Sequence, residues 1–390
     1  MYPRAGQEAA LLRHCADARY VWNLGQEQRA AYRPGRGPVP GFGEQCRQVT
    51  EARAAEPWLA EGSQNVQQQA LRDLDQAWQN FFGGTHRRPG WRKAGQHEGF
   101  RITGRRGRQW DVRRLNRRWG HVQIPKVGWV RFRWSRPVLA EAKSFRIKKD
   151  HSGRWHVAFA VWPAPTVAGP GTGEVVGIDL GVTVSAALSN GEFLRCPRQP
   201  ATERAQYVRL QRRLRRARRG SNRRSRTKLA AAKISAKEAS RRKDWAEKAS
   251  TDIASRFDVI RIEDLKIANM TRSSRGTMEK PGVNVRQKSG LNRVIRRSGW
   301  GLFAERLEGK AAGRVEKINP RFTSQRCSAC GHVAVESRES QSRFRCTACG
   351  FALNADVNAA INIAGGRPVT ARGGGALARP ANREPLASAA

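Results

Sequence analysis

The sequence predicts a multidomain chain of the α+β class, with a helical lobe, then a β-barrel or sandwich, then an α/β unit that carries a metal-binding ribbon. Apolar residues recur at helical spacing near the N-terminus. Residues 100–162 alternate apolar with basic or polar side chains, which is the period of a strand. The second half places short apolar strands between long helical stretches and two CxxC pairs. A chain of 390 residues is long enough for two or three domains with their own cores.

Two helices are predicted in the N-terminal lobe. The first lies within residues 8–32, where Leu11, Cys15, Ala18 and Trp22 fall on one face. The second follows Ser63, and the GG and PG dipeptides within residues 83–90 end it. Its apolar stripe consists of Val66, Ala70, Leu74, Ala77, Trp78 and Phe81.

Strand signals dominate residues 100–162. Segments such as GWVRFRWS and RWHVAFAVW alternate in character, and DHSG at 150–153 is a turn between two strands. This pattern predicts an antiparallel β-barrel or sandwich with a basic outer face. Tryptophans interleaved with arginines could stack on bases, but burial in the core is the expected place for most of them. They are Trp110, Trp119, Trp129, Trp134 and Trp155.

The second half begins after a linker at 163–173 with the strand VVGIDLG. Residues 203–250 predict two long basic helices that are broken at Gly220–Asn222. Further on, RFDVIRIEDL predicts a buried strand, LNRVIRRSGWGLFAERLEGKAA an amphipathic helix and GRVEKINP another strand. The tail after Gly366 is rich in Gly, Ala, Pro and Arg and is predicted to be disordered.

The charge balance indicates a polyanionic partner. The chain has 74 Lys and Arg against 32 Asp and Glu, a formal net charge of +42, and such an excess repels itself unless a polyanion neutralises it. Nucleic acid and an anionic membrane are the two candidates. No apolar run approaches the roughly 20 residues of a spanning helix, and no signal-peptide core is present. We therefore expect a soluble, intracellular protein without a membrane partner.

The basic block between Arg204 and Lys248 is nearly of one sign. A solvated helix face is the alternative interpretation, but like charges at i,i+4 destabilise a helix unless a polyanion is present. Contact with RNA or an RNA–DNA heteroduplex is therefore favoured. The candidate phosphate-binding residues are Arg212, Arg213, Arg215, Arg216, Arg223 and Arg224.

Four of the seven cysteines form the pattern Cys327-x2-Cys330-x15-Cys346-x2-Cys349. Zinc binds four such thiolates in a tetrahedron, and each CxxC turn offers two of them. Gly331 and Gly350 follow the pairs, where the turn needs a permissive backbone. Four protein ligands leave no open position, so a structural Zn²⁺ is predicted. CxxC pairs together with scattered single cysteines are typical of metal use in a reducing compartment.

Three carboxylates stand in apolar surroundings. Asp179 lies in VVGIDLGV and Glu263 in VIRIEDL, both predicted to be buried strands, where an unpaired charge is costly. Asp356 lies in the first turn of the helix NADVNAAINIAGG. Together, three hard oxygen ligands can hold Mg²⁺ or Mn²⁺, and two such ions roughly 4 Å apart can support phosphodiester cleavage.

Each carboxylate also has an explanation that involves no catalysis. Asp179 could cap a turn at Leu180–Gly181, and Glu263 could pair with Arg261 or Lys266. The negative charge of Asp356 could simply interact favourably with the helix dipole. For any one of them, the residues alone leave both interpretations open.

A series of motifs resembles the TnpB (OrfB) family of insertion-sequence transposons, over about residues 3 to 366. In order they are GIDLG, a basic helical hairpin, RIEDL, NPRFTSQRCSACG, the second CxxCG and NADVNAAINI. Members of the family are RNA-guided DNA nucleases with a RuvC-like catalytic domain of the RNase H fold and a zinc ribbon. The type V CRISPR effectors are their relatives.

The resemblance implies roles and limits for parts of this chain. Asp179, Glu263 and Asp356 take the places of the first, second and third catalytic carboxylates, and Asp264 is excluded by the register of its motif. Guide RNA and target DNA are the implied partners; the sequence does not give the oligomeric state, and one monomer per guide is favoured. The implied location is the cytoplasm of a prokaryote, in association with the nucleoid. The implied domains are 1–99, a strand remnant and helical recognition domain; 100–165, a wedge-type β-barrel; 171–322, the RuvC-like nuclease domain; 323–352, the zinc ribbon; 353–366, the last RuvC helix; and 367–390, the tail.

One departure from the family concerns the start of the chain. Members usually have a β-strand before the residues that match YPRAGQE, and here only Met1 precedes Tyr2. The start of the protein is therefore expected to lie upstream of Met1, so that only a remnant of the barrel's first strand is present in this chain.

Three rival functions fit parts of the sequence. A compact type V CRISPR effector would share every motif above. A non-cleaving RNA-guided DNA-binding regulator would share the scaffold, but the three intact carboxylates argue against it. A transposase that joins strands itself would need a tyrosine or serine recombinase constellation, and we find none in the sequence.

Overall fold

The computed structural model describes residues 1–30, 39–138, 142–161 and 166–366. These residues form two compact units, one within Met1–Ala164 and Pro200–Ala236, the other within Pro165–Gln199 and Lys237–Ala390. The predicted disordered tail lies outside the described residues, and the predicted domain limits stay predictions. Among the described helices, none combines the length and the apolar character that crossing a membrane would take.

Both predicted N-terminal helices are present, and their apolar stripes are largely buried. A further helix at residues 42–55 has no counterpart among the predicted elements, although Phe42, Cys46, Val49 and Ala52 recur at helical spacing and lie in or against the core of the first unit. The described elements up to residue 161 are α1 Ala5–Ala30, α2 Phe42–Ala55, α3 Pro57–Ala60, α4 Gln64–Phe82, β1 Gly99–Thr103, β2 Asp111–Arg114, β3 Trp119–Ile124, β4 Gly128–Arg133, β5 Ser144–Lys149 and β6 Trp155–Ala160.

The prediction of a closed β-barrel is wrong for the described residues. The six strands form two separate antiparallel sheets of three strands, in the orders β1-β5-β6 and β2-β3-β4. The two sheets share one core, in which the Trp110 and Phe145 rings lie 5.2 Å apart and the Phe132 and Phe159 rings 6.0 Å apart. The sandwich alternative stays a prediction, and two separate sheets with a shared core are compatible with it. Alternating residues reveal which face of a strand is buried, and a sandwich and a barrel bury the same faces.

The interleaved tryptophans divide between the core and the surface. Trp110 and Trp155 are buried, as expected for core residues. The other three are only half-buried, and each has an arginine guanidinium over its ring. These pairs are Arg113 over Trp129 at 4.3 Å, Arg131 over Trp119 at 4.8 Å and Arg114 over Trp134 at 5.9 Å.

A five-stranded mixed sheet in the order β11-β10-β7-β8-β9 is the centre of the second unit. Its strands β7, β10 and β11 are parallel. The described elements from residue 166 onward are β7 Val175–Asp179, β8 Ala186–Leu188, β9 Phe193–Leu194, α5 Ala201–Arg216, α6 Asn222–Arg256, β10 Val259–Glu263, α7 Ile267–Met270, α8 Val285–Ser298, α9 Trp300–Lys310, β11 Val315–Ile318, β12 Arg343–Arg345, β13 Ala352–Asn354 and α10 Ala355–Ala364.

The helix α10 packs directly against the backbone of β7. A Cβ atom at Gly177 would collide with the Ala360 carbonyl oxygen and the Ala364 amide, and would lie 2.9 Å from the Ala364 Cα atom. From the neighbouring strand β10, the Arg261 guanidinium donates to the Ala364 carbonyl and, at 2.7 Å, to the Glu316 carboxylate. Gly177 therefore sets the distance between helix and sheet, and Arg261 holds the C-terminal end of the helix.

Replacing Gly177 with alanine is expected to destabilise the second unit by at least about 1–3 kcal/mol, the usual cost of overpacking a core. The atoms in the way belong to backbone and cannot rotate aside. The melting temperature should fall by about 2–4 °C for each kcal/mol. Gly290 is the matched control, since it lies inside α8 and a Cβ atom added there would have nothing within 4 Å. Gly290→Ala should be neutral or stabilising, and equal melting temperatures for the two variants would contradict the close packing.

Candidate active site and metal centre

Two of the predicted catalytic carboxylates lie side by side at one edge of the central sheet. Asp179 is the last residue of β7 and Glu263 the last residue of β10. The two strands are parallel, with Ile178 opposite Ile262, so both acids emerge at the same carboxyl edge. Ligand sites of open α/β sheets occupy this edge. Strand pairing thus brings together the acids of two distant motifs.

The third carboxylate reaches the same edge from α10. Asp356 lies in the first turn of this helix, whose N-cap is Asn354. The Asn354 side-chain oxygen accepts from the backbone N–H groups of Asp356 at 3.0 Å and Val357 at 3.3 Å. The close packing of α10 on β7 then holds the start of the helix near Asp179. The three acids therefore come from two strands and one helix.

The electrostatics show that Asp179 senses the other two acids. Burial, followed by the negative charges of Glu263 and Asp356, raises the pKa of Asp179 to about 7. Burial also raises the pKa of Glu263 and of Asp356. Charged carboxylates in such a place need a compensating cation.

The non-catalytic explanations account for little of this arrangement. Arg261 bonds to Glu316 and to α10, and Lys266 bonds to Asp264 at 2.6 Å, so neither neutralises Glu263. Asp179 does accept a backbone hydrogen bond at Leu180, in line with the turn alternative, but its pKa stays raised. Asp356 is at the helix start, where a negative charge is favourable, yet its charge also acts on Asp179.

The set suits a hard divalent cation in its chemistry, although its oxygen atoms are spread apart. In the described part of the chain, the four cysteines form the one group of three or more candidate ligands whose atoms all lie within 4.8 Å of one another. The carboxylate oxygens of Asp179, Glu263 and Asp356 do not all lie within that distance of one another. Three carboxylate oxygens remain the donor type that Mg²⁺ and Mn²⁺ prefer.

A basic residue that sequence reasoning had no means of finding completes this edge. Arg338, from the segment between the two CxxC pairs, has its Nη2 atom 3.7 Å from Asp356 Oδ1. Its positive charge opposes the rise in the pKa of both Asp179 and Asp356. Arg338 stands in a charged stretch, ESRES, without any local pattern that distinguishes it.

The four predicted metal-binding cysteines do converge. Their sulfur atoms lie within 4.8 Å of one another, with Cys327 3.8 Å from Cys349 and Cys330 3.6 Å from Cys346. Gly331 and Gly350 follow the pairs with φ of 76° and 71°, a left-handed backbone that suits glycine. The Cys349 backbone N–H lowers the pKa of Cys346, which favours a thiolate there. The cluster can therefore hold one tetrahedral metal ion, and four soft ligands suit Zn²⁺.

Asparagines on α10 connect this cysteine cluster to the carboxylates. The Asn358 side chain is fully buried; its Nδ2 donates to the Arg326 carbonyl at 2.8 Å and its Oδ1 accepts from the Ser328 N–H at 3.0 Å. Asn362 Nδ2 donates to the same Arg326 carbonyl at 2.7 Å and to the Thr323 carbonyl at 2.9 Å. Sequence reasoning missed these residues. The repeat of asparagine every four residues in NADVNAAIN marks one polar helix face and could have revealed them.

The predicted basic hairpin is formed by α5 and the start of α6. The helix break falls at residues 217–221, where Gly220 has a φ of 82°. Arg212, Arg213, Arg215 and Arg216 on α5 and Arg223 on α6 are largely accessible to solvent. Arg224 instead donates to the Leu214 and Ala217 carbonyls and caps the end of α5. The first five can face a polyanion, while Arg224 also has a structural role.

Comparison with known proteins places the chain in a family. A family model described as "Probable transposase" matches residues 158–274, and one described as "Cas12f1-like, TNB domain" matches residues 300–363. The "Putative RNA-guided DNA endonuclease InsQ" of Escherichia coli (strain K12) is 34% identical over 391 residues, covering 98% of this chain and 95% of that protein. The chain belongs to the TnpB/OrfB family. A "Putative RNA-guided DNA endonuclease" of Streptomyces pristinaespiralis is 29% identical to this TnpB protein over 384 residues, covering 96% and 90% of the two chains.

Among solved structures, the cryo-EM structure of a Cas12f1–sgRNA–target DNA complex aligns with 92% of this TnpB chain and 83% of its own. The TM-score is 0.49 and the identity 15%.

Proposed function

We propose that this chain is an RNA-guided, metal-dependent DNA endonuclease of a transposon. Its catalytic carboxylates for the cleavage of DNA phosphodiesters would be Asp179, Glu263 and Asp356. The observation that carries the proposal is the meeting of these three carboxylates at one sheet edge, all with raised pKa values. Relatives named as RNA-guided DNA endonucleases match nearly the whole chain. A net charge of +42 suits a protein that holds both an RNA and a DNA.

The three carboxylates would hold Mg²⁺ or Mn²⁺ through their oxygens. When bound, such ions activate a water for attack on the phosphodiester and stabilise the leaving oxygen. Arg338 brings five N–H donors to the same place, and a guanidinium suits the non-bridging oxygens of a phosphate. The scissile phosphate would thus be oriented by Arg338 between the acids and the ribbon.

Sequence recognition is assigned to base pairing with the guide. In this mode the protein holds the duplex by its backbone and reads only a short flanking motif. Exposed arginines such as those of α5 fit this task, because phosphate contacts carry no sequence information. The substrate is then DNA of the nucleoid, and the place of action the cytoplasm of a prokaryote.

The decisive experiment is to sequence the RNA that co-purifies with the protein when it is expressed with its native flanking DNA. The complex is then incubated with a duplex that matches the guide, with and without Mg²⁺. We expect cuts in the matched duplex only, and only with the metal. Absence of a defined RNA, or equal cutting of an unmatched duplex, would overturn the proposal.

Two alternatives remain distinguishable. The first alternative is a compact CRISPR effector, and the observation in its favour is the match of residues 300–363 to the Cas12f1-like domain. A repeat array beside the gene, in place of a transposon end, would support this alternative. A non-cleaving regulator would require that one or more carboxylates be dispensable. The match of residues 158–274 to the family model described as "Probable transposase" supports the transposon assignment.

Neutralising the exposed arginines of α5 is expected to weaken nucleic-acid binding almost equally across sequences. The quadruple variant replaces Arg212, Arg213, Arg215 and Arg216 with glutamine. If these residues bind phosphates, the slope of log affinity against log salt should flatten by roughly 0.7 to 0.9 for each phosphate that is no longer neutralised. Affinities for guide RNA and for matched target at three salt concentrations give the slope.

The matched control removes four positive charges that already have carboxylate partners in the structure. The decrease in net charge is then the same, but no free phosphate-binding group is removed. An unchanged slope in the α5 variant, or an equal flattening in the control, would show that α5 is a solvated helix that does not bind phosphates. The control residues are Arg13, Arg47, Arg256 and Lys317.

A further inference from the structure

The second carboxylate of the candidate site is held by a hydroxyl group outside the sheet. Thr323 Oγ1 lies 2.6 Å from Glu263 Oε1 and 3.1 Å from the Pro320 carbonyl oxygen. A hydroxyl has one proton to donate, and the shorter contact is to the carboxylate. Thr323 is buried, so solvent does not compete for this bond. The hydrogen bond therefore fixes where one oxygen of Glu263 lies.

The turn that carries Thr323 has an unusual backbone. Phe322 has a φ of 65°, a left-handed conformation that a bulky residue rarely adopts, and its ring is 46% exposed. The Phe322 carbonyl accepts from the N–H groups of Gln325 and Arg326, both at 3.0 Å, which holds the turn. The Phe322 side chain is too exposed for its packing to explain this strained backbone. We therefore attribute the strained φ of Phe322 to the turn itself. Its effect is to direct the next side chain, Thr323, at Glu263.

The same turn is bonded to the helix that carries the third carboxylate. Asn362 joins the carbonyls of Thr323 and Arg326 to α10, and Asn358 adds a bond to Arg326 and one to Ser328. Cys327, the first predicted metal ligand, lies between Arg326 and Ser328. One short segment thus contacts Glu263, the helix of Asp356 and the metal-binding turn.

We propose that Thr323 is a positioning residue for Glu263, and that Asn358 and Asn362 make the first cysteine turn a support for the whole carboxylate site. The inference rests on the proposed function, because the support matters only if the carboxylates hold a cation. Ligating carboxylates are commonly oriented by hydrogen bonds from a second layer of residues, whose loss weakens metal binding or activity. Here that layer is part of the ribbon, residues 323–352, so folding of the ribbon contributes to the geometry of the cation site.

The test replaces the hydroxyl and nothing else. Thr323→Val substitutes a methyl group of the same shape, and Thr323→Ser keeps the hydroxyl and removes a methyl group. In the assembled ribonucleoprotein, Thr323→Val is expected to bind Mn²⁺ about 10–100-fold more weakly, as measured by titration calorimetry. The Mn²⁺ concentration for half-maximal cleavage should rise with it. Thr323→Ser should resemble the wild type in both measurements.

Two further measurements separate positioning from folding. The zinc content per chain and the affinity for guide RNA and target should be unchanged in Thr323→Val. Loss of zinc or of nucleic-acid binding in that variant would mean that Thr323 holds the ribbon together, and the proposal would be wrong. Wild-type Mn²⁺ affinity in Thr323→Val would overturn it equally.

Asn362→Leu tests the second half of the proposal by removing the two hydrogen bonds from Asn362 to the turn while keeping a similar volume. We expect weaker Mn²⁺ binding with the nucleic-acid affinity retained, and unchanged Mn²⁺ binding would show that Asn362 does not support the site. A different pair of results would contradict the proposed function itself. These are that the wild-type complex does not cut a matched duplex, and that Asp179→Ala binds Mn²⁺ as tightly as the wild type. If the wild type cuts and Thr323→Val behaves like it, the positioning role alone is wrong.

Discussion

Asp179→Ala is expected to lower the rate of DNA cleavage by about a thousandfold or more, and to leave the affinities for guide RNA and target DNA close to those of the wild type. A catalytic cation stabilises the transition state by several kcal/mol, and each 1.36 kcal/mol corresponds to a factor of ten. Removing a carboxylate that holds the cation forfeits most of that stabilisation. Glu263→Ala and Asp356→Ala should have effects of the same order. Single-turnover cleavage of a matched duplex with Mg²⁺ measures the rate.

Asp264 provides the matched control for these variants. It follows Glu263 directly in the chain, but its carboxylate is engaged by Lys266 at 2.6 Å. Asp264→Ala removes the same charge from the same strand end and should keep nearly full activity. Cleavage at the wild-type rate by any of the three alanine variants would remove that residue from the site. A large decrease in the rate of Asp264→Ala would show that the register of the two neighbouring acids has been assigned wrongly.

Loss of the metal in the cysteine cluster is the second large effect that we expect. Freshly purified protein should contain one Zn²⁺ per chain, and Cys327→Ser or Cys349→Ser should contain none. Structural zinc contributes about 10–16 kcal/mol of apparent binding free energy in isolated zinc fingers at neutral pH. The ribbon has only a small core, in which Cys327, Phe344 and Cys346 pack with Ala355 of α10, so it should unfold without the ion.

Metal analysis and limited proteolysis of residues 323–352 provide the measurements. Cys46→Ser is the control, because Cys46 is partly buried in α2 and is remote in sequence from the cluster. It should retain zinc and a protected ribbon. Absence of zinc from the wild type, or retention of zinc by Cys327→Ser, would contradict the assignment of the four cysteines as ligands.

The polar residues that sequence reasoning identified are those with a strong local signal. A charge within an apolar strand is costly, so Asp179 and Glu263 are conspicuous within VVGIDLG and VIRIEDL. Parallel pairing of β7 and β10 then brings them together, and neither the pairing nor its register is written in the local pattern. The position of Asp356 at a helix start is weak evidence for a catalytic role. Its assignment depends mainly on the resemblance of NADVNAAINI to the TnpB family.

What the sequence did not reveal depends on contacts between distant segments. Thr323 and Arg338 have ordinary neighbours, and their importance arises only from the atoms that folding places beside them. The error about the barrel has a similar origin, because alternation reports buried faces and is silent on which strand edges pair. The helix α2 did have a local signal that the prediction missed, since Phe42, Cys46, Val49 and Ala52 recur at helical spacing.

The position of α10 in the chain has a consequence for biosynthesis. It is the last element of the described residues, while the basic helices α5 and α6 are made much earlier. Since chains fold largely in the order of their synthesis, the strands of the central sheet leave the ribosome well before the helix that packs on β7. A chain cut short before α10 would lack Asp356 and also the buried side chains that this helix contributes to the second unit. We therefore expect the second unit to complete its folding only after synthesis has passed residue 364.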